Sequence, residues 1–306
     1  MEVLVFGAGS LGSLIGGLLA REHDVTLIGR EPHVRAIREK GLRLTGRVDR
    51  TVRPAAATAV DPSADPDLAV VTVKSFDTGA AARELARCDP EAVLSLQNGM
   101  GNEATLAEHL DAPVLAGTTT WGAHTEDPGV VACTGVGSVT VGPWEASGSA
   151  GVDETAGVES AERAGEAFRR AGIETTVVAD PRPHLWEKLA VNAGINPVTA
   201  LARVRNGALV DGPAADLAAR AATETAAVAR EQGIDLPDAR ATGAVRQVAE
   251  TTAANRSSML ADVESGRRTE IDAINGYVVD HAGGDVPVNA ALAGLIRAWE
   301  AGETLR

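Results

Sequence analysis

Only three lysines, Lys40, Lys74 and Lys188, stand against 25 arginines in this chain of 306 residues. An ammonium can release its proton near neutrality and a guanidinium essentially cannot, so a lysine kept in such a composition is a candidate for proton chemistry. Lys188 lies in the stretch HLWEKLAVNAGINPVTALARVRNG, residues 184–207. On a helix at about 100° per residue, Lys188, Asn192 and Asn196 fall within roughly 80° of arc, one ammonium and two carboxamides on a single stripe of an otherwise apolar helix. A lysine that merely faces solvent would give the same stripe, and the pattern alone does not choose between the two.

A second group of candidates opens the chain. The strand EVLVF runs into GAGSLG and then an apolar helical stretch to about Ala20, so Gly7, Gly9 and Gly12 form G-x-G-x-x-G with a strand before and a helix after. Gly7 permits the tight turn, Gly9 lets the backbone approach a pyrophosphate, and Gly12 lets the helix pack closely, its N-terminus facing the phosphates. This reads as a dinucleotide site. The next strand, DVTLIGR, ends in Gly29 and Arg30, where an NAD site usually carries an acid for the ribose 2′-hydroxyl. A guanidinium there suits a 2′-phosphate, so NADPH is the expected cofactor, a ligand-free surface arginine being the alternative. Lys74 and Asn98 close the strands DLAVVTVKS and AVLSLQNGM, at the carboxyl ends where ligands of open parallel sheets collect. A strand-end lysine and an ordinary turn at QNG would look the same.

The elements that must position these residues follow from periodicity and punctuation. EPHVRAIREKGL reads as a helix stopped at Gly41, and LRLTGRVDRTVR as a hairpin turned at Thr45 and Gly46. A helix TGAAARELARC precedes the Asn98 strand. PVLAGTTTWGAH follows as a strand and tip, where Gly122 and Ala123 are small enough to admit a ring, and VVACTG with GSVTVGP reads as an antiparallel pair closing the sheet. EASGSAGVDETAG reads as a solvated loop, VESAERAGEAFRRAG as a helix and IETTVVAD as a last strand. The two prolines of DPRP, residues 180–183, set a domain boundary. Helical patterns over 212–231, 238 to about 265, 270 to about 281 and 288–301 then follow with no strands between them. The expected fold class is α/β: a doubly wound sheet over residues 1–180 and an all-α domain over 181–306. In the latter, Asn255 and Ser258 are spaced as helical neighbours, and Thr269 with Asp272 resembles a capping box that leaves Glu270 in a first helical turn.

Composition limits the class of function. A net charge of −14 without an offsetting basic stripe argues against a nucleic-acid partner, and no apolar run reaches the roughly 18 residues of a membrane span. Two cysteines, Cys88 and Cys133, are too few for a disulfide framework and do not cluster as metal ligands, so no metal is expected and a reducing cytoplasm is the simplest compartment. Cys88 reads as an inert core thiol or a regulatory one. The acidity suits a surface hydrated at high salt, and a GC-rich genome would favour the same arginines and alanines. A homodimer is left open.

The segments GAGSLG, VKS, QNGMG, GTTTWGA, LWEKLAVNAGINPVTAL, RNG, NRSSMLADV and TEIDAINGY, in this order, closely resemble the ketopantoate reductases, and the resemblance spans nearly the whole chain. It implies a Rossmann domain followed by a helical domain of the 6-phosphogluconate dehydrogenase-like type. It implies Lys188 as proton donor and Glu270 beside the substrate hydroxyl and the cofactor. Substrate binding would fall to Asn98, Asn192, Asn196, Asn206, Asn255 and Ser258. Cofactor binding would fall to Gly7, Ala8, Gly9, Ser10, Leu11, Gly12, Arg30, Lys74, Asn98, Ala123 and Glu270. Trp121 and the loop at 145–157 depart from the family pattern. The implied reaction is hydride transfer from NADPH to the C2 ketone of 2-dehydropantoate, a step toward pantothenate and coenzyme A, with Lys188 protonating the oxygen from a lowered pKa. A reductase of another short branched 2-keto acid, or a silent NADPH sensor, would share the architecture.

Overall fold

A computed structural model describes residues 1–144 and 154–305. The chain separates into two compact units, Met1–Gln97 with Asn102–Pro181, and Asn98–Gly101 with Arg182–Arg306. The four residues after Gln97 thus leave the sheet-bearing unit and pack with the helices.

In the first unit, strands β1 (Glu2–Phe6), β2 (Asp24–Ile28), β5 (Ala55–Ala57), β6 (Leu68–Val71), β7 (Val93–Ser95) and β8 (Val114–Thr119) pair in parallel in the order β5-β2-β1-β6-β7-β8. The order reverses between β1 and β6, so the carboxyl ends of these two strands form the switch point where such sheets bind ligands. β6 is buried at all four positions, as a strand covered on both faces must be. Helices α1 (Ser10–Leu19), α2 (His33–Lys40), α3 (Thr78–Leu85), α4 (Asn102–Ala107) and α5 (Glu154–Arg170) complete the unit. Leu14, Ile15 and Leu19 of α1 bury fully in one core cluster with Val5 and Leu27.

Two further strands extend the main sheet. β11 (Ser138–Pro143) pairs antiparallel with β8, and β12 (Glu174–Val177) pairs parallel with β11. A second sheet has the order β4-β3-β10-β9, from β3 (Leu42–Gly46), β4 (Arg50–Val52), β9 (Gly122–Asp127) and β10 (Val130–Gly135). The expected pairing of VVACTG with GSVTVGP is therefore wrong: these are β10 and β11, and they lie in different sheets. The Thr120 N–H donates to the Ser138 carbonyl at 3.1 Å and Ser138 N–H to the Thr120 hydroxyl at 2.9 Å, which draws β11 onto β8 instead. The hairpin β3–β4 forms, but its turn is at 47–49, because Gly46 still belongs to β3 and lies against Cys133 of β10. β5 and α4, too short for a periodic signal, were not expected. Most of the loop read at 145–157 lies outside the described residues, and its last part, from 154, is already α5.

In the second unit every described element is helical: α6 (Arg182–Ala202), α7 (Pro213–Glu231), α8 (Asp238–Thr251), α9 (Ser258–Glu264), α10 (Tyr277–His281) and α11 (Pro287–Gly302). The helix expected from 238 to 265 is broken, since Ser257 caps α9 by accepting the Leu260 N–H at 3.0 Å. Asn255 consequently sits in the break and Ser258 at the start of α9, so the two are not helical neighbours. A π-helical turn, Asp272–Gly276, precedes α10, with the Gly276 N–H donating to Ile271 O at 2.9 Å.

Pro197 lies inside α6 and cannot donate to the carbonyl of Ala193, four residues back. That buried acceptor is taken up by Asn275 Nδ2 at 3.1 Å. The same nitrogen donates to Asn289 Oδ1 at 2.9 Å, and Asn289 Nδ2 donates to Ala221 O at 3.0 Å and Glu224 Oε2 at 2.8 Å. One buried amide chain thereby fixes the π turn to α6, α7 and α11.

Candidate active site

In the first unit, Gly7 directly follows β1 with φ +110°. A Cβ there would stand 2.7 Å from Val73 N, so the turn excludes any side chain. Its N–H and that of Ala8 both donate to Ile28 O, at 2.9 and 2.7 Å, which ties the turn to the carboxyl end of β2. A Cβ on Gly12 would meet Gly7 O at 2.3 Å, whereas one on Gly9 would find only Gly7 O at 3.9 Å. The first and third glycines are thus required by the protein's own packing, while the middle one borders open space, as a phosphate-approaching backbone should. The first helical bond of α1 runs from Ser13 N to Gly9 O, leaving the donors of Ser10, Leu11 and Gly12 in the terminal turn. The Ser10 hydroxyl is already committed, 3.0 Å from Thr125 Oγ1 and accepting the Thr125 N–H, so it braces β9 against α1. Ala123 lies on that same strand, half-buried.

Arg30 stands two residues beyond β2 with its side chain 89% exposed, and Nη2 lies 3.2 Å from Asp77 Oδ2. A guanidinium has five donors in a fork, so this pairing leaves it able to hold an anion as well. Lys74 is half-buried three residues past β6. Its segment is fastened by a buried network that sequence reasoning missed. Gln97 Nε2 donates to Val73 O at 3.1 Å and to Thr78 Oγ1 at 2.7 Å, and Thr78 Oγ1 is 2.9 Å from Asn102 Oδ1. Gln97 occurs at a strand tip otherwise read for its Asn-Gly, so its own role had no separate signal.

In the second unit, α6 carries Lys188, Asn192 and Asn196 as expected, the first two half-buried and Asn196 5% exposed. Asn192 Nδ2 is buried without a protein partner. Asn206 Nδ2 donates to Thr252 Oγ1 at 2.8 Å while its Oδ1 is buried and unpartnered. Its backbone N–H donates to Asn255 O at 3.1 Å, which brings the two residues together. Ser258 is exposed, whereas the unpredicted Ser257 is buried with Oγ 2.7 Å from Thr199 Oγ1.

Asn98 and Glu270 belong to this unit too. Gly99, with φ +80°, has no room for a Cβ, which would fall 2.6 Å from that of Ala273. The Met100 N–H donates to Ala273 O at 2.9 Å, so the Asn98 segment is seated on the π turn that begins two residues after Glu270. Glu270 itself is 5% exposed. The capping box expected at Thr269 and Asp272 does not form. Thr269 Oγ1 donates to Glu300 at 2.6 Å and accepts the Ile271 N–H, while Asp272 Oδ1 accepts from Arg297 Nε at 2.8 Å.

Among the described residues no group of His, Cys, Asp or Glu is arranged to hold a metal, and no helix is long and apolar enough to cross a membrane. What the two units offer is a glycine turn with helix-terminal donors in one, and an ammonium, carboxamides and a buried carboxylate in the other. The first is suited to a dinucleotide's phosphates, and the second, taken by itself, to binding a small polar molecule and moving a proton.

Known proteins match this arrangement along the chain. Residues 3–146 match the family described as ketopantoate reductase PanE/ApbA, and residues 180–300 match its C-terminal counterpart. A 2-dehydropantoate 2-reductase of Halobacterium salinarum is 47% identical over 97% of this chain and 98% of that protein. The crystal structure of a PanE/ApbA family ketopantoate reductase from Ralstonia eutropha is 34% identical with a TM-score of 0.87, covering 99% of this chain and 100% of that one. A D-mandelate dehydrogenase solved with NADH is 25% identical with a TM-score of 0.84, each chain covered completely. Matched through both halves and with a Rossmann sheet followed by a helical unit, this chain belongs to the ketopantoate reductase family.

Proposed function

We propose that this protein reduces the C2 ketone of 2-dehydropantoate to pantoate, with NADPH preferred over NADH. The observation that carries the reading is the match of both halves to ketopantoate reductases, together with an ammonium and carboxamides on one face of α6. The first unit, to about residue 180, would be the nucleotide domain and the rest the catalytic one.

The residues present fit the cofactor. The turn at Gly7, the open space at Gly9 and the helix-terminal donors of α1 would hold the pyrophosphate, and Arg30 the 2′-phosphate. When bound, reduced nicotinamide supplies the hydride that the carbonyl carbon accepts. Lys188 delivers a proton to the oxygen as negative charge grows there, so one hydride and one proton complete the alcohol. The unpartnered Nδ2 of Asn192 is a neutral donor available to the substrate carboxylate, and Asn98 and Asn196 would add further carboxamides. Glu270 accepts a hydrogen bond from the substrate's primary hydroxyl, which a hydroxyl-free 2-keto acid cannot offer.

The test is to mix protein, NADPH and 2-dehydropantoate and follow the loss of reduced-nicotinamide absorbance. Turnover is expected, and its absence under conditions where the protein is folded would reject the reading. The likeness to a D-mandelate dehydrogenase favours a second reading, reduction of another 2-keto acid. Higher kcat/KM for the analogue lacking the hydroxyl than for 2-dehydropantoate would select it.

A further inference from the structure

The segment that carries Glu270 is held at every third residue by one helix. The Thr269 N–H and hydroxyl both donate to Glu300 Oε1, at 2.8 and 2.6 Å. Asp272 Oδ1 accepts from Arg297 Nε at 2.8 Å, and Asn275 Nδ2 donates to Asn289 Oδ1 at 2.9 Å. Glu300, Arg297 and Asn289 all belong to α11, which runs antiparallel to the segment. Glu300 is fully buried and Thr269 2% exposed, so the first clamp is shielded from water. Arg297 and Glu300 are one helical turn apart and share a face.

Glu270 lies between the first two clamps, and its carbonyl accepts the Ala273 and Ile274 N–H groups, both at 3.1 Å. The capping box that would have locked it into a regular first turn is absent, and the following turn is π-helical. A carboxylate that must meet a hydroxyl at hydrogen-bond distance gains from being held to a fraction of an ångström. We propose that Glu300 and Arg297 are positioning residues for Glu270, so that α11 sets how strictly the enzyme demands a hydroxyl on its 2-keto acid. This rests on the role given to Glu270 under the proposed function.

The experiment measures kcat/KM for 2-dehydropantoate and for 3-methyl-2-oxobutanoate, which lacks the hydroxyl, in E270Q, R297A, E300A and E300Q, with the KM for NADPH as control. R297A and E300A are each expected to lower the ratio of the two kcat/KM values by roughly tenfold or more. In both variants reduction of the analogue and the KM for NADPH should move far less. E300Q keeps an Oε1 acceptor for both Thr269 donors and should restore most of the ratio. A merely structural role would depress both substrates in parallel, and that result overturns the proposal. Should E300A not fold, the half-exposed pair of Arg297 and Asp272 keeps the test open through R297A. If E270Q collapses the ratio and the α11 variants leave it unchanged, positioning fails while the role of Glu270 survives. If E270Q leaves the ratio unchanged, the role of Glu270 falls and the proposal with it.

Discussion

At the scale of single residues, the lysine count was the most informative number. In K188A, kcat is expected to fall at least about a hundredfold, since general-acid transfer contributes that much or more, with NADPH affinity unchanged. Steady-state kinetics alongside a cofactor titration checks this, and near-normal turnover would remove Lys188 from the mechanism. R30A should weaken NADPH by on the order of tenfold, the size of one charge-assisted bond, and leave NADH nearly untouched. Equal losses would contradict its assignment to the 2′-phosphate. Cys88 is buried, and desolvation raises its thiol pKa as it does that of Cys133, so neither is a thiolate at neutral pH. Slow alkylation of the folded protein is the expected outcome.

Between elements, the decisive contacts are polar and join parts far apart in the chain. Asn275 satisfies the carbonyl that Pro197 leaves open, so N275A should strand both Ala193 O and the Asn289 amide. A loss of about 2–3 kcal/mol in denaturant unfolding is expected. His33 makes a similar clasp: Nδ1 accepts the Gly129 N–H at 3.0 Å, so Nε2 carries the proton toward Ser13 Oγ, 2.9 Å away. Burial lowers the pKa of this ring below 6.5, which favours the neutral form in the fold. The unfolded chain then binds more protons than the native one just below pH 6.5. The stability this clasp contributes is complete above that value and is lost as pH falls from it toward the native pKa. H33Q should flatten that part of a melting-temperature profile.

On the scale of the whole molecule, 42 carboxylates against 28 cationic side chains leave an excess that must repel itself. The surface ion pairs, such as Arg163 with Glu91 at 2.6 Å, are largely exposed and so contribute little. Screening the excess should outweigh weakening those pairs, and the melting temperature is expected to rise from low to molar KCl. A falling melting temperature would reject salt adaptation of this surface. The amino-acid sequence by itself determined what is written in local repeat and punctuation. The strand, glycine turn and helix at the start, the stripe of Lys188, Asn192 and Asn196, and the succession of helices after Pro183 all arise within a few turns of chain. Only the tertiary structure decided that Asn98 travels with the helices, that β10 and β11 part company, and that Glu300 rather than a capping box holds Thr269. The physical reason is that buried donors and acceptors pair with whatever the fold brings within hydrogen-bond distance, and for Asn275 and Ala193 that partner is 82 residues away.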